Sequence, residues 1–377
     1  MTRAVITAFA RSPFHFAHKG ALARTRPDDL VAQVIAGLVQ RSGLDPALIE
    51  DVAMGCAMPE GEQGLNVARL AGQLAGLPIS VGGMTINRFC GSAMSAVHYA
   101  AGQIAIGAGE AIICAGVESM TRVPNGGFNP MPNPALAAKS AAYISMGETA
   151  ENVARQYGIS RAEQEALAVA SHAKAAAAQA AGHFNAEIVP IATKAGLVDA
   201  DGCIRAGTSA EGLAGLKPAF SADGTITAGT ASPLTDGATA LLLTSEDFAV
   251  RHGLPVLAAI RSVAISGCAP EVMGLGPIES SRKALARAGL TAADMDVVEL
   301  NEAFASQALA CIRDLGIRDE ALNIDGGAIA IGHPLGATGA RLVGKAASLL
   351  ARTGGKYALA SQCIGGGQGI ATVLERI

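Results

Sequence analysis

The chain has 377 residues, half of them hydrophobic and only 16% charged, which allows two or three domains and predicts that a subunit interface covers some apolar surface. The formal net charge of -4 and the lack of a Lys/Arg stripe argue against nucleic acid as a partner. No run of 18 uninterrupted apolar residues predicts a membrane span, and the first residues do not read as a signal peptide.

Seven cysteines are widely spaced, and no CxxC pair indicates zinc or a redox centre. We therefore expect a reduced, cytoplasmic chain without a metal site, in which most cysteines are small buried residues.

Two parts of the chain show the same order of predicted elements: a strand, a helix, a Gly-Leu pair and an Asp-Val strand. In the first part these are 3–9, 28–41, 43–44 and 51–55. In the second part they are 256–265, 279–287, 289–290 and 296–300. Each part ends in a Gly-containing turn followed by an apolar strand, at 238–243 and at 370–374. The match predicts a duplicated α/β fold with halves at 1–250 and 251–377.

The first half is longer because of an excess at about 121–227. This segment opens with a Pro/Asn/Gly-rich loop over 123–134 and continues with helical patterns over 148–157 and 160–181, the second starting at a Ser-x-x-Glu capping box. We interpret it as an inserted loop domain over the body of the protein, a common place for substrate contacts.

Cys90 is predicted to lie where a strand turns into a buried helix that runs to about Ile106. A thiol at the first turn of a helix faces the positive end of the helix dipole, so we expect a lowered pKa and a nucleophilic thiolate. The alternative is a structural cysteine in a strand–helix corner.

His333 lies in a Gly-rich loop before another small-residue helix, at the position in the second half that Cys90 has in the first. Pseudo-symmetric halves bring the two helix starts together, so His333 can activate the Cys90 thiol. The alternative is a hydrogen-bonded loop histidine.

Two further segments carry chemistry. Cys363 opens a stretch of seven residues with four glycines, whose backbone N–H groups can point at a ligand oxygen. Asn301 follows the repeated strand and offers an amide that can hold a catalytic water. The alternatives are a structural turn for Cys363 and an ordinary strand end for Asn301.

Together these segments resemble the motifs of the thiolase family. They are Asn-x-x-Cys-x-Ser at 87–92, Asn-Glu-Ala-Phe at 301–304, Gly-His-Pro at 332–334 and Cys-x-Gly-Gly-Gly at 363–367. The resemblance covers essentially the whole chain. It implies the five-layered thiolase-like fold, with two similar halves of mixed sheet and helices and an inserted loop domain.

The resemblance also implies an acyltransferase that cleaves 3-ketoacyl-CoA with coenzyme A. Cys90 is then the nucleophile, His333 takes its proton, and Cys363 is the acid or base at the α-carbon. The backbone N–H groups of Cys90 and Gly365 hold one oxyanion, and His333 with a water on Asn301 holds the enolate oxygen. CoA is a substrate, no cofactor is bound permanently, and five residues are expected to contact CoA: Met146, Arg205, Lys217, Phe220 and Ser232.

The sequence differs from one group of thiolases at a position that bears on the length of the acyl chain. Acetoacetyl-CoA thiolases usually have a histidine where this chain has Ser145, which favours a degradative enzyme of fatty-acid β-oxidation that accepts longer acyl chains. The alternatives are an acetoacetyl-CoA thiolase working in the condensation direction and a non-catalytic CoA or lipid carrier. A ketosynthase-type enzyme fits less well because the chain has one suitable histidine. Thiolases are generally homodimers or homotetramers, and some join a multifunctional β-oxidation subunit.

Overall fold

The structure is a computed structural model that describes residues 2–377. Over these residues the strands are β1 (Ala4–Arg11), β2 (His15–Phe16), β3 (Asp51–Gly55), β4 (Met84–Ile86), β5 (Ala111–Ser119), β6 (Ile191–Thr193), β7 (Gly196–Val198), β8 (Thr235–Ser245), β9 (Ala258–Gly267), β10 (Val297–Leu300), β11 (Tyr357–Ile364) and β12 (Gln368–Glu375). The α-helices are α1 (Pro27–Ser42), α2 (Val67–Leu74), α3 (Ser92–Ala105), α4 (Pro134–Ala137), α5 (Met146–Tyr157), α6 (Arg161–Ala180), α7 (Ala210–Ala214), α8 (Glu246–Arg251), α9 (Gly276–Ala288), α10 (Ala305–Leu315), α11 (Ala328–Ile331) and α12 (Leu335–Thr353).

The predicted duplication is present in the sheet topology. The first-half strands run in the order β4-β3-β5-β8-β1 and the second-half strands in the order β10-β11-β12-β9. In both halves a parallel pair (β3 with β5, β10 with β11) is followed by two antiparallel pairings. The two sets are joined by a short antiparallel pairing of β1 with β9, at Val5 with Ala259 and Ile6 with Ala258. The duplicated α/β fold is therefore confirmed.

The helices and strands form layers because each helix buries its apolar face against strands or against another helix. The central helices α3 and α12 pack against each other and against strands of both halves. The helices α1 and α2 cover the outer face of the first-half strands, and α9 and α10 cover that of the second-half strands. A Cβ atom on Gly339 of α12 would lie 2.3 Å from the backbone nitrogen of Met94, so glycine is required for the close approach of the central helices.

The segment 121–227 contains α4 to α7 and the β6–β7 hairpin, and its helices α5 and α6 pack on α10 and α11 of the second half. Both α5 and α6 begin with a serine in a capping box, at Ser145 and Ser160. The box at Ser160 was predicted, whereas α5 begins at Met146, two residues before the predicted start. This placement puts the first turn of α5 beside the second-half motifs.

Buried ion pairs fix the inserted segment to both halves. Arg11 of β1 binds Asp201 and Glu187 of the inserted segment, each at 2.7 Å. Lys345 of α12 binds Glu187 and, at 3.2 Å, Asp325. All five side chains are at most 5% exposed. Removing one partner of such a pair leaves a buried charge uncompensated and costs about 3–5 kcal/mol.

None of the helices within residues 2–377 combines the length and the apolar character that crossing a membrane requires.

Candidate active site

The motif segments from both halves meet at one pocket of about 540 Å³. Its wall includes Cys90, His333, Cys363 and Gly365. Asn301 lies behind the wall, with its amide nitrogen 3.4 Å from Nε2 of His333. The structure therefore brings together all five residues that the sequence predicted for catalysis.

Cys90 lies in a strained turn between β4 and α3. The preceding residue, Phe89, has a φ of 44°, a left-handed conformation that costs a non-glycine residue about 1–3 kcal/mol. The side chain of Asn87 accepts the N–H of Phe89 at 2.8 Å. The hydroxyl of Ser92 accepts the N–H of Arg88 at 2.8 Å and donates to the carbonyl of Phe89 at 2.6 Å. These bonds stabilise the turn that presents Cys90 to the pocket.

The Cys90 thiol is protonated at neutral pH, contrary to the prediction. Burial raises its pKa to about 11, since the thiolate loses its hydration. Hydrogen bonds from the backbone N–H groups of Gly365 and Cys90 favour the thiolate but do not offset burial, and the charge of Glu118 opposes it. The prediction failed because α3 begins at Ser92, so Cys90 precedes the first turn and gains little from the helix dipole. The thiol needs a base.

His333 lies at the same pocket and is neutral, so it can accept the thiol proton. It is 4% exposed, and burial together with the Arg341 charge lowers its pKa to about 3, so the imidazole is neutral. Nδ1 lies 2.6 Å from the Thr338 hydroxyl, which donates to the carbonyl of Pro334 at 2.9 Å. The hydroxyl therefore accepts from Nδ1–H, and Nε2 keeps its lone pair. The His333 backbone N–H donates to the Thr235 hydroxyl at 3.1 Å.

Asn301 is held at the end of β10 by its backbone N–H, which donates to the carbonyl of Ser361 at 3.0 Å. Its side chain is fully buried, and its amide nitrogen faces Nε2 of His333. Its amide oxygen has no hydrogen-bond partner in the protein. Since buried polar atoms are normally satisfied, this oxygen is free to accept a hydrogen bond from a small polar molecule.

Cys363 lies at the carboxyl end of β11, is 1% exposed, and is protonated at neutral pH. Burial raises its pKa well above the ordinary thiol value, and the neighbouring thiols of Cys90 and Cys311 raise it further. The adjacent Gln362 donates from its side chain to the backbone carbonyl of Cys90. The strand that carries the second thiol therefore also fixes the backbone of the first.

Three of the predicted CoA contacts lie in the pocket wall: Met146, Phe220 and Ser232. Phe220 packs edge-on against Phe304, with 5.9 Å between ring centroids. The Ser232 hydroxyl donates to the carbonyl of Ala303 at 3.1 Å. The inserted segment and the Asn-Glu-Ala-Phe motif thus share one side of the pocket.

Arg205 and Lys217 do not line the pocket. Both lie in the inserted segment, where a guanidinium nitrogen of Arg205 is 3.1 Å from Nε2 of His172. Their contact with CoA stays a prediction.

Much of the remaining wall is apolar. Ser145 belongs to the wall, but its hydroxyl is engaged in capping α5, where it accepts the N–H of Glu148 at 3.3 Å. The side chains suited to an acyl chain are Met58, Phe89, Met120, Ile144, Leu234 and Leu335.

A larger groove of about 1160 Å³ lies where β1 and β9 meet, and it contains none of the predicted catalytic residues. Four of its charged side chains form two ion pairs, Arg3 with Glu246 at 2.8 Å and Arg261 with Glu375 at 3.5 Å. No cluster of His, Cys, Asp or Glu within residues 2–377 is arranged to hold a metal ion. Convergent reactive groups therefore favour the smaller pocket as the active site.

Three residues that organise the pocket were not predicted from the sequence: Thr338, Gln362 and Glu118. Thr338 had a local signal, since it lies four residues after Pro334 in the first turn of a predicted helix. Glu118 also had a local signal in the sequence, because it is an acidic residue that directly follows the apolar run of β5. Gln362 gave no signal, since its partner is distant in the sequence.

Comparison with known proteins relates the whole chain to one family. The model for the thiolase N-terminal domain matches residues 4–247 and that for the thiolase C-terminal domain matches residues 254–376. A 3-ketoacyl-CoA thiolase of Bacillus subtilis is 46% identical over 389 residues, covering 100% of both chains. One of Shewanella denitrificans is 47% identical over 388 residues, also covering 100% of both chains. The chain therefore belongs to the thiolase family.

Proposed function

We propose that the protein is a 3-ketoacyl-CoA thiolase, an acetyl-CoA C-acyltransferase that converts 3-ketoacyl-CoA and CoA into acyl-CoA and acetyl-CoA. The observation that carries this proposal is the convergence of Cys90, His333 and Cys363 in one pocket. Full-length similarity to proteins of that name supports it.

In the first step, Nε2 of His333 takes the Cys90 proton and the sulfur attacks the 3-keto carbon. Negative charge develops on the keto oxygen. The backbone N–H groups of Cys90 and Gly365 lower the pKa of the Cys90 thiol, and we expect them to donate to that oxyanion.

In the second step, the Cα–Cβ bond breaks and its electron pair forms the enolate of acetyl-CoA. The enolate oxygen accepts from Nε2–H of the His333 imidazolium and from a water held by Asn301. The Cys363 thiol gives its proton to the α-carbon, leaving acetyl-CoA and the Cys363 thiolate. The raised pKa of Cys363 keeps it protonated and ready to act as this acid.

In the third step, the Cys363 thiolate takes the proton of the CoA thiol, and the CoA sulfur attacks the acyl-Cys90 thioester. Cys90 leaves and recovers its proton from His333, so the enzyme returns to its starting state. In the reverse, condensing direction, Cys363 is the base that forms the carbanion.

We place the CoA moiety along the inserted loop domain, 121–227, of the first half, 1–250, opposite the second half, 251–377. Met146, Phe220 and Ser232 are the contacts that the wall position supports. CoA enters as a substrate and no permanently bound cofactor takes part.

The apolar wall and Ser145 favour acyl chains longer than acetyl and a role in fatty-acid β-oxidation. The test is the specificity constant for CoA-dependent cleavage of 3-ketoacyl-CoA with four, eight and twelve carbons. We expect a preference for eight or twelve carbons. Activity confined to four carbons would make the protein an acetoacetyl-CoA thiolase, and folded protein without cleavage at any length would favour a carrier.

We also propose a cytoplasmic homo-oligomer, a dimer or tetramer, that can join a multifunctional β-oxidation subunit. All seven cysteines are free, as expected in a reducing compartment. The strand β4 is at the edge of the sheet, and the segment of chain that precedes it carries three exposed apolar side chains, Leu65, Leu74 and Ile79, which are 89%, 56% and 78% exposed. Light scattering coupled to size-exclusion chromatography tests the oligomer, and a monomer would contradict it.

A further inference from the structure

Glu118 ends the apolar part of β5, is 1% exposed, and is surrounded by N–H donors. One carboxylate oxygen accepts the backbone N–H groups of Ala57 and Gly336, each at 2.8 Å. The other accepts the side-chain amide of Gln63 at 2.8 Å and the N–H of Met58 at 3.2 Å. Burial raises the pKa of Glu118, but a protonated carboxyl would turn a hydrogen towards one of these donors. The donor set therefore keeps Glu118 an anion.

No Lys or Arg within the described residues 2–377 forms an ion pair with Glu118. Its charge is balanced by N–H groups, of which that of Gly336 belongs to the first turn of the 19-residue helix α12. The charge also reaches the nucleophile, since it raises the pKa of Cys90.

Glu118 also joins the two halves through its hydrogen bond with Gly336. It belongs to the first half, whereas Gly336 follows His333 by three residues in the second. A Cβ atom on Gly336 would lie 2.7 Å from Cα of Cys56 and 2.7 Å from the carbonyl oxygen of Val117. The first turn of α12 thus lies directly on the end of β5, and the carboxylate fixes it there.

We propose that Glu118 is a positioning residue for acyl transfer: its carboxylate accepts the backbone N–H of Gly336 and so fixes the His333 loop relative to Cys90. This inference rests on the roles proposed above for Cys90 and His333. Glu118 touches neither substrate nor the reacting atoms.

The test compares Glu118→Gln, which removes the charge, with Glu118→Asp, which keeps it on a shorter side chain. The readouts are kcat and KM for 3-ketooctanoyl-CoA and the pH midpoint of Cys90 alkylation by iodoacetamide. Misplacing a reacting group by about 1 Å costs on the order of 100-fold in rate, so we expect a kcat loss of about 100-fold in Glu118→Gln with KM within about threefold. The alkylation midpoint moves to lower pH, because the opposing charge is gone.

Glu118→Asp is expected to keep the wild-type alkylation midpoint, because the negative charge remains. It is expected to lose about tenfold in kcat, because the shorter side chain holds the His333 loop less well. The Glu118→Asp variant also tests the positioning role if Glu118→Gln does not fold. The matched control is Glu151→Gln, since Glu151 is a buried carboxylate that accepts the backbone N–H groups of Thr225 and Ile226 at 3.0 and 2.9 Å. It should keep kcat within about twofold of wild type.

Three results would overturn the proposal: wild-type kcat in folded Glu118→Gln, a shifted alkylation midpoint in Glu118→Asp, or an equal loss of kcat in Glu151→Gln. Cys90→Ala and His333→Ala, assayed in parallel, separate this proposal from the one it rests on. If they retain cleavage, the proposed function fails. If they abolish cleavage and Glu118→Gln is unaffected, only the positioning role fails.

Discussion

Replacing Thr338 by valine removes the hydroxyl that holds the active tautomer of His333 and changes little else. The hydroxyl is fully buried and lies 2.6 Å from Nδ1. The carbonyl of Pro334 accepts from this hydroxyl and also from the backbone N–H of residue 338, at 3.0 Å. The backbone hydrogen bond remains in the valine variant. Valine has a similar shape, so the specific loss is the acceptor for Nδ1–H.

The magnitude follows from the cost of a buried donor without a partner, about 1–3 kcal/mol. The imidazole escapes this cost by moving the proton to Nε2, which then has no lone pair for the Cys90 proton. At 1.4 kcal/mol per factor of ten, the active tautomer becomes roughly 5- to 140-fold rarer. We expect kcat for 3-ketooctanoyl-CoA cleavage to fall by that factor.

The assay is steady-state cleavage by Thr338→Val and the control Thr338→Ser, which keeps the hydroxyl, with urea unfolding to confirm that both fold. Thr338→Ser should stay within about threefold of wild-type kcat. Wild-type kcat in folded Thr338→Val, or equal losses in both variants, would refute the assignment of the Nδ1 proton.

Three further predictions concern protonation and packing. Because the pKa of Cys90 is raised to about 11, its alkylation rate should climb about tenfold per pH unit from pH 7 to 10, and a plateau near pH 7 would contradict this. The pKa of His333 is lowered to about 3 in the folded protein against about 6.5 unfolded, so stability is lost as pH falls below 6.5. Between pH 8 and 5, wild-type unfolding free energy should drop about 2 kcal/mol more than that of His333→Asn, and equal drops would argue against a buried neutral imidazole. Gly339→Ala should destabilise by about 1–3 kcal/mol in urea unfolding, because its Cβ meets the Met94 backbone, whereas Gly102→Ala on α3 has open space and should be neutral or stabilising. Equal stability of these two variants would show that the central helices tolerate the extra atom.

The parts of the fold that the sequence predicted are those with local or repeated patterns. The Gly-Leu and Asp-Val pairs mark the same helix and strand in each half, and the observed strand orders match accordingly. The position of α3 relative to Cys90 was wrong by two residues, because the turn at Phe89 depends on hydrogen bonds from side chains that propensity does not reveal.

The motif residues Cys90, His333 and Cys363, which the sequence proposes for catalysis, line one pocket in the structure. The direction of the shift in the Cys90 pKa was not predictable from the sequence, since it depends on burial in the folded chain rather than on the adjacent helix. Glu118 contacts Gly336 across 218 positions of sequence, and only the folded chain brings its donors together.

The proposed mechanism requires that acyl transfer proceed through a thioester on Cys90. The most direct test mixes the protein with 3-ketooctanoyl-CoA in the absence of free CoA, then measures intact mass, maps the modified peptide and quantifies acetyl-CoA. We expect one hexanoyl group on Cys90, an equimolar amount of acetyl-CoA, and neither product with Cys90→Ala. Acetyl-CoA release without an acyl-enzyme, or a hexanoyl group on a different cysteine, would contradict it.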